Sequence, residues 1–460
     1  MKRYFFLVGV AILLTSMGAV YFQFRSPVLN DVSNMPKFTE KLTNVSDYLY
    51  HIKFDESYYP CKLEEDGSLL PHPLYGYYVI KDYIGQYEKT GEDSYLAAAI
   101  IVADSSINKM RKRKNALCFY YPKGFMNYSA FYKEMYSGLT QMSYAEIFYK
   151  LYSITLNEKY LNASNQCFNS LTIPIDEGGV FWNVEGNSFI SEYPFEVPDL
   201  VLNGELCIAI SLRNYGEMNL KRKDECEYLF NCQIDTIKNY IELFDIPSIH
   251  TSRYMLSGPM CFQINTTVSD IKFGDCIVSI PNIGERKILR KKSSETTRYD
   301  SYIFDDELIA NGLKLNIMVS RISYPKENTI SLQYFSNETG SISFYAYVPE
   351  LSPKWVDGIN PQYTLIGKYD VEKGEGEIII PIRWINEYVF GNPCVFNYIG
   401  AGGLYYNSYH YAHIDYFKKI YEYTGDEIFK EYADKWEEYI NHWYEDKIWN
   451  SNEISFEKYH

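Results

Sequence analysis

Long apolar runs, tryptophan and basic residues are all scarce in this sequence. Only Tyr4–Phe24 is apolar over a length that spans a bilayer, which excludes a polytopic membrane protein. Lysine and arginine total 44 against 59 aspartates and glutamates, and the net charge of −15 argues against nucleic-acid binding. Charged residues make up 22% of the chain and hydrophobic residues 46%, a composition that excludes a disordered or coiled-coil protein.

The sequence patterns of common cofactor and metal sites are also missing. The nine cysteines include no CxxC pair, and no glycine-rich phosphate loop, serine-nucleophile motif or HExxH pattern occurs. We therefore expect neither a cofactor nor a metal. Cys226 with Cys232, or Cys261 with Cys276, could pair in an oxidising compartment, and the sequence leaves that open.

The N-terminal segment has the features of a targeting signal. Lys2 and Arg3 precede the apolar run, which favours a cytoplasmic N-terminus and translocation of the rest of the chain. We interpret residues 1–30 as a single-pass signal anchor and linker. The catalytic region would then lie outside the cytoplasm, in the Golgi lumen or on another extracytoplasmic side. The small residues in Ser16–Ala19 leave a cleaved signal peptide, and hence a secreted protein, as the alternative.

Three segments repeat one helix–turn–helix spacing, namely Tyr87–Glu92, Tyr152–Asn157 and Tyr421–Asp426. Each follows an apolar pattern of helical period, with Gly or Asn expected where the first helix ends. Helical hairpins must stack to bury their apolar faces. We therefore predict an incomplete α/α toroid, with an open superhelix as the alternative.

The hydrophobic period changes to two between residues 259 and 398. Leu313, Leu315 and Ile317 alternate with other residues, and glycine clusters separate such runs. This pattern predicts a β-sandwich inserted into a mostly α protein. The expected order is anchor and linker (1–30), first part of the catalytic toroid (31–258), inserted sandwich (259–398) and the toroid's final hairpin (399–460).

Four motifs occur in a fixed order along the helical regions. They are YSGLTQ (Tyr136–Gln141), SEYP (Ser191–Pro194), VLNG (Val201–Gly204) and YHYAHI (Tyr409–Ile414). In these motifs the sequence resembles the D-glucuronyl C5-epimerase family, which acts on heparan-type and heparosan-type polysaccharides. The resemblance covers about residues 75–250 and 400–445. Ser191 and Ser408 stand where the family usually has an acidic residue.

The resemblance implies an enzyme that converts D-glucuronosyl to L-iduronosyl residues in an anionic polysaccharide without a cofactor. Tyr193 and Tyr409 match the tyrosines associated with proton transfer, and Glu192 matches the acid before the first of them. Tyr254 lies where the family has a further active-site tyrosine. Members of the family are often dimeric, which makes a homodimer an open expectation.

Epimerisation at C5 places its own demands on the side chains. One group must accept the C5 proton, and another must donate a proton to the opposite face. The substrate carboxylate must be neutralised, and the planar fork of Arg253 suits that role. Further predicted substrate contacts are His410, Tyr77, Tyr78, Tyr136, Gln141 and Asn203.

Structural roles compete with each of these interpretations. A chain with 47 tyrosines uses most of them for packing, and Glu192 could cap the helix that follows. His410 and His413 have a spacing that a metal could use, although a structural role is favoured. A polysaccharide lyase, which shares the initial proton abstraction, and a non-catalytic glycan-binding protein remain as alternative functions.

Overall fold

The computed structural model describes residues 52–64, 66–125, 133–195, 197–280, 284–291, 302–304, 313–322, 329–347, 363–381, 393–446 and 449–459. These residues form two compact units, one with the residues up to 117 and 143–167, the other with 118–142 and 168 onward. The predicted anchor over 1–30 lies outside the described residues. Within the described ranges, no helix combines the length and apolarity needed to cross a bilayer.

The first unit is built mainly from helical hairpins. A small antiparallel sheet of β1 (Ile52–Phe54), β2 (Pro60–Leu63) and β3 (Leu69–Pro71) precedes them. The helices are α1 (Tyr75–Thr90), α2 (Asp93–Lys109), α3 (Gly138–Thr155) and α4 (Glu158–Asn169). Val79, Ile80 and Tyr83 bury one face of α1, as the helical apolar period predicts. The short strands between α2 and α3 are β4 (Arg111–Arg113), β5 (Ala116–Cys118), β6 (Tyr120–Tyr121) and β7 (Met135–Tyr136), of which β6 and β7 belong to the second unit.

The three repeated turns share one left-handed residue. Gly91 has φ of 69° and Gly425 has φ of 66°, and each donates its N–H to the carbonyl four residues back. In the middle repeat the corresponding residue is Leu156, with φ of 56°. The expectation of Gly or Asn at this position is therefore wrong for the middle repeat. Asn157 instead caps the next helix, because its Oδ1 accepts from the Lys159 N–H at 3.0 Å.

The second unit contains two further hairpins. Their helices are α5 (Leu202–Met218), α6 (Lys223–Tyr240), α7 (Ser408–Thr424) and α8 (Glu427–His442). The hairpin β8 (Phe181–Val184) and β9 (Asn187–Ile190) leads to α5, and β10 (Asp245–Ile246) pairs with β11 (Thr251–Ser252) after α6. The Asp245 carboxylate joins that strand pair to α8, since it accepts from Trp436 Nε1 at 3.0 Å and from the Tyr439 hydroxyl at 2.9 Å.

Two antiparallel-rich sheets follow between residues 257 and 381. One has the order β15-β16-β17-β12-β19-β20, and the other has the order β14-β13-β18-β21. The strands are β12 (Ser257–Thr266), β13 (Ile271–Ile280), β14 (Gly284–Lys287), β15 (Leu289–Lys291), β16 (Tyr302–Phe304), β17 (Leu313–Ser320), β18 (Thr329–Ser336), β19 (Gly340–Tyr347), β20 (Tyr363–Val371) and β21 (Gly374–Pro381). The last residue of β17, Ser320, pairs with the first residue of β12, Ser257.

Buried side chains of both sheets share one hydrophobic cluster. Phe262 and Phe344 enter it from the larger sheet, and Val278 and Ile330 enter it from the smaller one. A sandwich is the arrangement that such a shared core favours. The sandwich and the closure of the hairpins into a toroid stay predictions. The chain then continues through β22 (Tyr398–Ile399) and β23 (Tyr405–Tyr406) to α7, and β24 (Ile454–Ser455) pairs with β23 after α8.

Candidate active site

The segment after β9 is held by two glycines from distant motifs. The Gly138 N–H donates to the carbonyls of Ser191 at 3.2 Å and Glu192 at 3.1 Å. A Cβ on Gly138 would lie 2.4 Å from the Ser191 carbonyl oxygen, and one on Gly204 would lie 1.9 Å from Glu192 Oε2. The glycines of the YSGLTQ and VLNG motifs therefore allow two backbone segments to approach the Glu192–Tyr193 pair closely.

The Glu192 carboxyl is buried beside the Tyr193 hydroxyl. It is 5% exposed and shares a hydrogen bond with the Tyr193 side chain. Its Oε2 atom has no hydrogen-bond partner in the described part of the chain. Burial raises the pKa of Glu192 to about 8, against the lowering effect of the Tyr193 bond, and the charge of Asp199 raises it further. Glu192 can therefore exchange its proton near neutral pH.

Two more buried carboxyls surround Glu192. Glu205 Oε1 accepts from the Glu192 N–H at 2.9 Å, and Gln233 Nε2 donates to Glu205 Oε2. Asp199 Oδ1 accepts from the N–H groups of Leu256 at 3.0 Å and Ser257 at 2.7 Å. Burial raises the pKa of Asp199 to about 6 and that of Glu205 well above its ordinary value. Through its hydrogen bond to the backbone N–H, the buried Glu205 side chain fixes the position of Glu192.

Tyr193 is a half-buried phenol in an aromatic wall. Its ring meets that of Tyr121 edge-on, with centroids 6.3 Å apart and an interplanar angle of 81°. With Tyr254 it packs against a cluster of Phe195, Val201 and Met255. Burial, followed by the negative charge of Glu192, holds the pKa of Tyr193 well above 10. An isolated Tyr193 phenolate would therefore be costly, and proton transfer at this residue needs an acceptor alongside.

Tyr254 connects Tyr193 with Tyr409. The Tyr254 and Tyr409 rings lie with centroids 5.1 Å apart. Tyr254 is fixed through its backbone, because its carbonyl accepts from the Leu202 N–H at 3.0 Å at the start of α5. Tyr409 is 38% exposed on the first turn of α7, so it remains in contact with solvent. Tyr193 and Tyr254 thus pack against one cluster, and Tyr254 contacts Tyr409, which brings the three predicted tyrosines into one region of the fold.

Arg253 lies beside Tyr254 and is anchored by carbonyl groups. Its Nε donates to the Leu243 carbonyl at 2.8 Å, and its backbone N–H donates to the Phe244 carbonyl at 2.6 Å. Burial, and next the positive charge of Arg321, lowers the pKa of Arg253 to about 9. The group therefore remains cationic at neutral pH, as a partner for a substrate carboxylate must be.

His410 lies in the protein interior and organises the segment that carries Arg253. Its Nδ1 accepts from the Ser252 N–H at 3.0 Å, so Nε2 carries the proton and donates to the Trp436 carbonyl at 2.9 Å. Burial lowers its pKa to about 4. The ring is fully buried and neutral, and His413 Nδ1 binds the Ser252 hydroxyl at 2.8 Å. Both protein contacts favour a positioning role over direct substrate contact.

Tyr136 and Gln141 are buried in hydrogen bonds that fix the surrounding loops. The Tyr136 hydroxyl donates to the Ser170 carbonyl at 2.9 Å. Gln141 Oε1 accepts from the Phe119 N–H at 3.0 Å, while its Nε2 donates to the Ser170 hydroxyl at 3.0 Å. Asn203 differs from them, because its buried Oδ1 has no hydrogen-bond partner in the described ranges. Among these three residues, Asn203 is the one with an acceptor left for a sugar hydroxyl.

Tyr77 and Tyr78 belong to the first unit and lie half-buried near the start of α1. Their rings contact each other with centroids 5.4 Å apart, and Lys81 Nζ donates to the Tyr77 hydroxyl at 3.4 Å. Their predicted place in the substrate cleft stays a prediction. Across the described residues, no cluster of three histidine, cysteine or acidic side chains is suited to hold a metal ion.

Comparison with known families addresses the resemblance directly. Residues 114–273 match the family described as D-glucuronyl C5-epimerase C-terminus. The match confirms the family predicted from the motifs and supports an epimerase acting on uronic acids. It takes in the YSGLTQ, SEYP and VLNG motifs together with Arg253 and Tyr254, whereas Tyr409 lies outside it.

A curated protein of Methanocaldococcus jannaschii, described as uncharacterized, is also similar to this C5-epimerase-like chain. The two are 26% identical over 112 residues, which is 24% of this chain and 36% of that protein. The chain therefore covers about a third of the length of this relative. The similarity gives no activity, because the relative's description states none.

Sequence reasoning missed Glu205, Asp199, Tyr121 and Arg321. Glu205 has a local signal, because it directly follows the VLNG motif as a charged residue inside an apolar helical run. Asp199 precedes the same motif without any such pattern. Tyr121 and Arg321 come from other parts of the chain, and nothing in their immediate sequence points to the site.

Proposed function

We propose that this protein is a cofactor-independent C5-epimerase of a heparosan-type polysaccharide, converting D-glucuronosyl to L-iduronosyl residues. The observation that carries the proposal is the hydrogen bond between Tyr193 and the buried Glu192 carboxyl, with Tyr254 connecting Tyr193 to Tyr409. The family match supports the reaction class. Each required role has a side chain in this group.

The Tyr193–Glu192 pair supplies the base in this proposal. Tyr193 takes the C5 proton while it passes its own hydroxyl proton to the Glu192 carboxylate. This relay avoids a free phenolate, which burial and the neighbouring carboxyl disfavour. The pair ends with a neutral phenol and a protonated Glu192, and the electron pair of the broken C–H bond moves into the substrate carboxylate.

Tyr409 supplies the proton to the opposite face of the sugar. Its hydroxyl proton goes to C5 and leaves a phenolate, which solvent then reprotonates because the side chain is 38% exposed. Arg253 faces the developing negative charge on the substrate carboxylate. Glu192 returns its proton to solvent, so the cycle releases no product other than the epimerised sugar.

The test is incubation with heparosan in deuterated water, followed by NMR of the recovered polymer. We expect deuterium at C5 of uronic-acid residues in an intact chain. Tyr193→Phe, Tyr409→Phe and Glu192→Gln should each lower the exchange rate about 100-fold or more. Tyr444→Phe, a change at a tyrosine that is 74% exposed, serves as the matched control and should leave the rate unchanged.

The rate of exchange should also depend on pH through Glu192. The relay needs the carboxylate form, so exchange should rise as pH approaches about 8, the pKa to which burial raises this group. New unsaturated ends that absorb in the ultraviolet would instead identify a lyase. If the wild type and the variants bind heparosan equally well and none of them exchanges deuterium at any pH, the protein is a glycan-binding protein and the proposal is contradicted.

A further inference from the structure

Arg321 is a cation from the sheet region that lies beside the candidate active site. It follows β17, whose last residue Ser320 pairs with Ser257. Its backbone N–H donates to the Leu256 carbonyl at 3.0 Å, only two residues beyond Tyr254. The strand pairing therefore delivers Arg321 to the segment that carries Arg253.

Among the described residues, the buried Arg321 side chain has no matching ion pair. The residue is 4% exposed, and its Nη1 atom has no hydrogen-bond partner within the described ranges. An arginine this deeply buried normally pairs with a carboxylate, because desolvating an unpaired charge is costly. Asp199 attracts it electrostatically, and Asp199 Oδ2 has no hydrogen-bond partner in the described part of the chain, but no salt bridge joins Arg321 to any described residue.

Arg253 is a second cation near Arg321 and adds to the positive charge of this region. The guanidinium of Arg253 is close enough to Arg321 for the two positive charges to repel, which contributes to the lowered pKa of Arg253. Burial lowers the pKa of Arg321 to about 10, so both groups stay charged at neutral pH. Two neighbouring guanidinium groups in a buried site are stabilised by an anion that both can reach.

We propose that Arg321 and Arg253 together bind the carboxylate of the uronic-acid residue that undergoes reaction. The sheet region would then complete the substrate site as well as support the helices. This inference rests on the proposed function, which supplies the anionic sugar. The group that the two arginines recognise is the carboxylate of a hexuronate. A neutral hexose at the same position would make no such contact.

The rival role for Arg321 is that of a counter-ion to Asp199. In that role Arg321→Gln would weaken the fold, and Asp199→Asn in the same chain would restore it. The preference for a substrate with its carboxylate over a carboxyl-reduced substrate would be unchanged, because the substitution would affect the binding of both substrates equally. Substrate discrimination therefore separates the two roles, even where stability changes as well.

The experiment compares binding of a heparosan octasaccharide with its carboxyl-reduced form by calorimetry. We expect the wild-type chain to prefer the carboxylate form by about 10- to 100-fold. Arg321→Gln should reduce the preference by about 10-fold, with Arg253 retaining the remainder, and Arg321→Lys should restore part of the loss. Lys287→Gln removes one exposed positive charge from the same sheet region and should keep the preference. Thermal unfolding of each variant establishes that it is folded.

The outcomes separate the inference from the proposed function. A folded Arg321→Gln chain that keeps the full preference overturns the role of Arg321, and deuterium exchange by the wild type would leave the epimerase proposal in place. A wild-type chain that binds both oligosaccharides equally also overturns the carboxylate site. If the wild type neither distinguishes the oligosaccharides nor exchanges deuterium, both proposals fail.

Discussion

Gly204 has no Cβ, and the Glu192 carboxyl occupies the space that a Cβ at this position would fill. The distance of 1.9 Å between an added Cβ and Oε2 is far below any normal contact. Gly204 lies in the first turn of α5, so the close approach also places the carboxyl at the positive end of the helix dipole. That end favours the ionised form, which partly offsets the cost of burial.

Gly204→Ala should therefore displace Glu192 and lower C5 exchange about 100-fold, because small misplacements of a catalytic group are costly. Gly85→Ala is the matched control, since Gly85 lies within α1 and an added Cβ would meet nothing within 4 Å. That change should stabilise the protein by about 0.5–1 kcal/mol with activity unchanged. Exchange rates and thermal unfolding measure the two effects. Full activity in Gly204→Ala would contradict the assigned role of the contact.

Of the three repeated turns, the middle one has a residue that is poorly suited to the left-handed backbone conformation. Leu156 has the left-handed conformation that glycine has in the other two repeats, and its side chain is 64% exposed. The conformation is unfavourable for a residue with a Cβ. The two helices that this turn joins, α3 and α4, are held together by contacts away from the turn, such as the hydrogen bond that the buried Ser164 hydroxyl donates to the Ala145 carbonyl at 2.7 Å.

Leu156→Gly should raise the free energy of unfolding by about 0.5–1 kcal/mol, because it relieves the strained conformation and removes few contacts. Gly425→Ala is the reciprocal control. An added Cβ there would meet nothing within 4 Å, so its expected loss of about 1 kcal/mol is purely conformational. Chemical denaturation measures both changes. A lower free energy of unfolding for Leu156→Gly would show that contacts of the exposed leucine side chain stabilise the protein.

The free energy of unfolding of the whole molecule depends on pH through its buried titratable groups. Glu192 and Glu205 bind protons more tightly when folded than when unfolded, because burial raises their pKa values. His410 and His413 behave in the opposite way, because burial lowers theirs. Between pH 4.5 and 6.5 the two sets oppose each other. Above pH 6.5 the unfolded histidines are neutral, and the carboxyls alone determine the slope.

The free energy of unfolding should therefore fall as pH rises from about 6.5 to about 8. Glu192 contributes up to about 1.4 kcal/mol for every unit of pH within that window. Glu192→Gln removes one titrating group and should make the decline shallower. Unfolding midpoints at several pH values between 6 and 9 test this. Equal slopes in the two proteins would show that Glu192 has no raised pKa.

Local sequence determined the helices, the strands and the family. The hairpin turns and alternating strands depend on neighbouring residues, so their periodicity is readable without a fold. The family match confirms the resemblance over residues 114–273, which contain three of the four motifs. Only Leu156 departed from the expected turn, because packing of the adjoining helices overrides one residue's backbone preference.

Only the tertiary structure decided which side chains meet. His410 binds Ser252 across 158 residues of sequence, and Arg321 reaches the segment carrying Arg253 through strand pairing in the sheet region. Burial of Glu192 and the resulting rise in its pKa likewise depend on Gly204 and on the carboxyls around it. These properties arise from distant segments packed together, so no local pattern of residues could specify them.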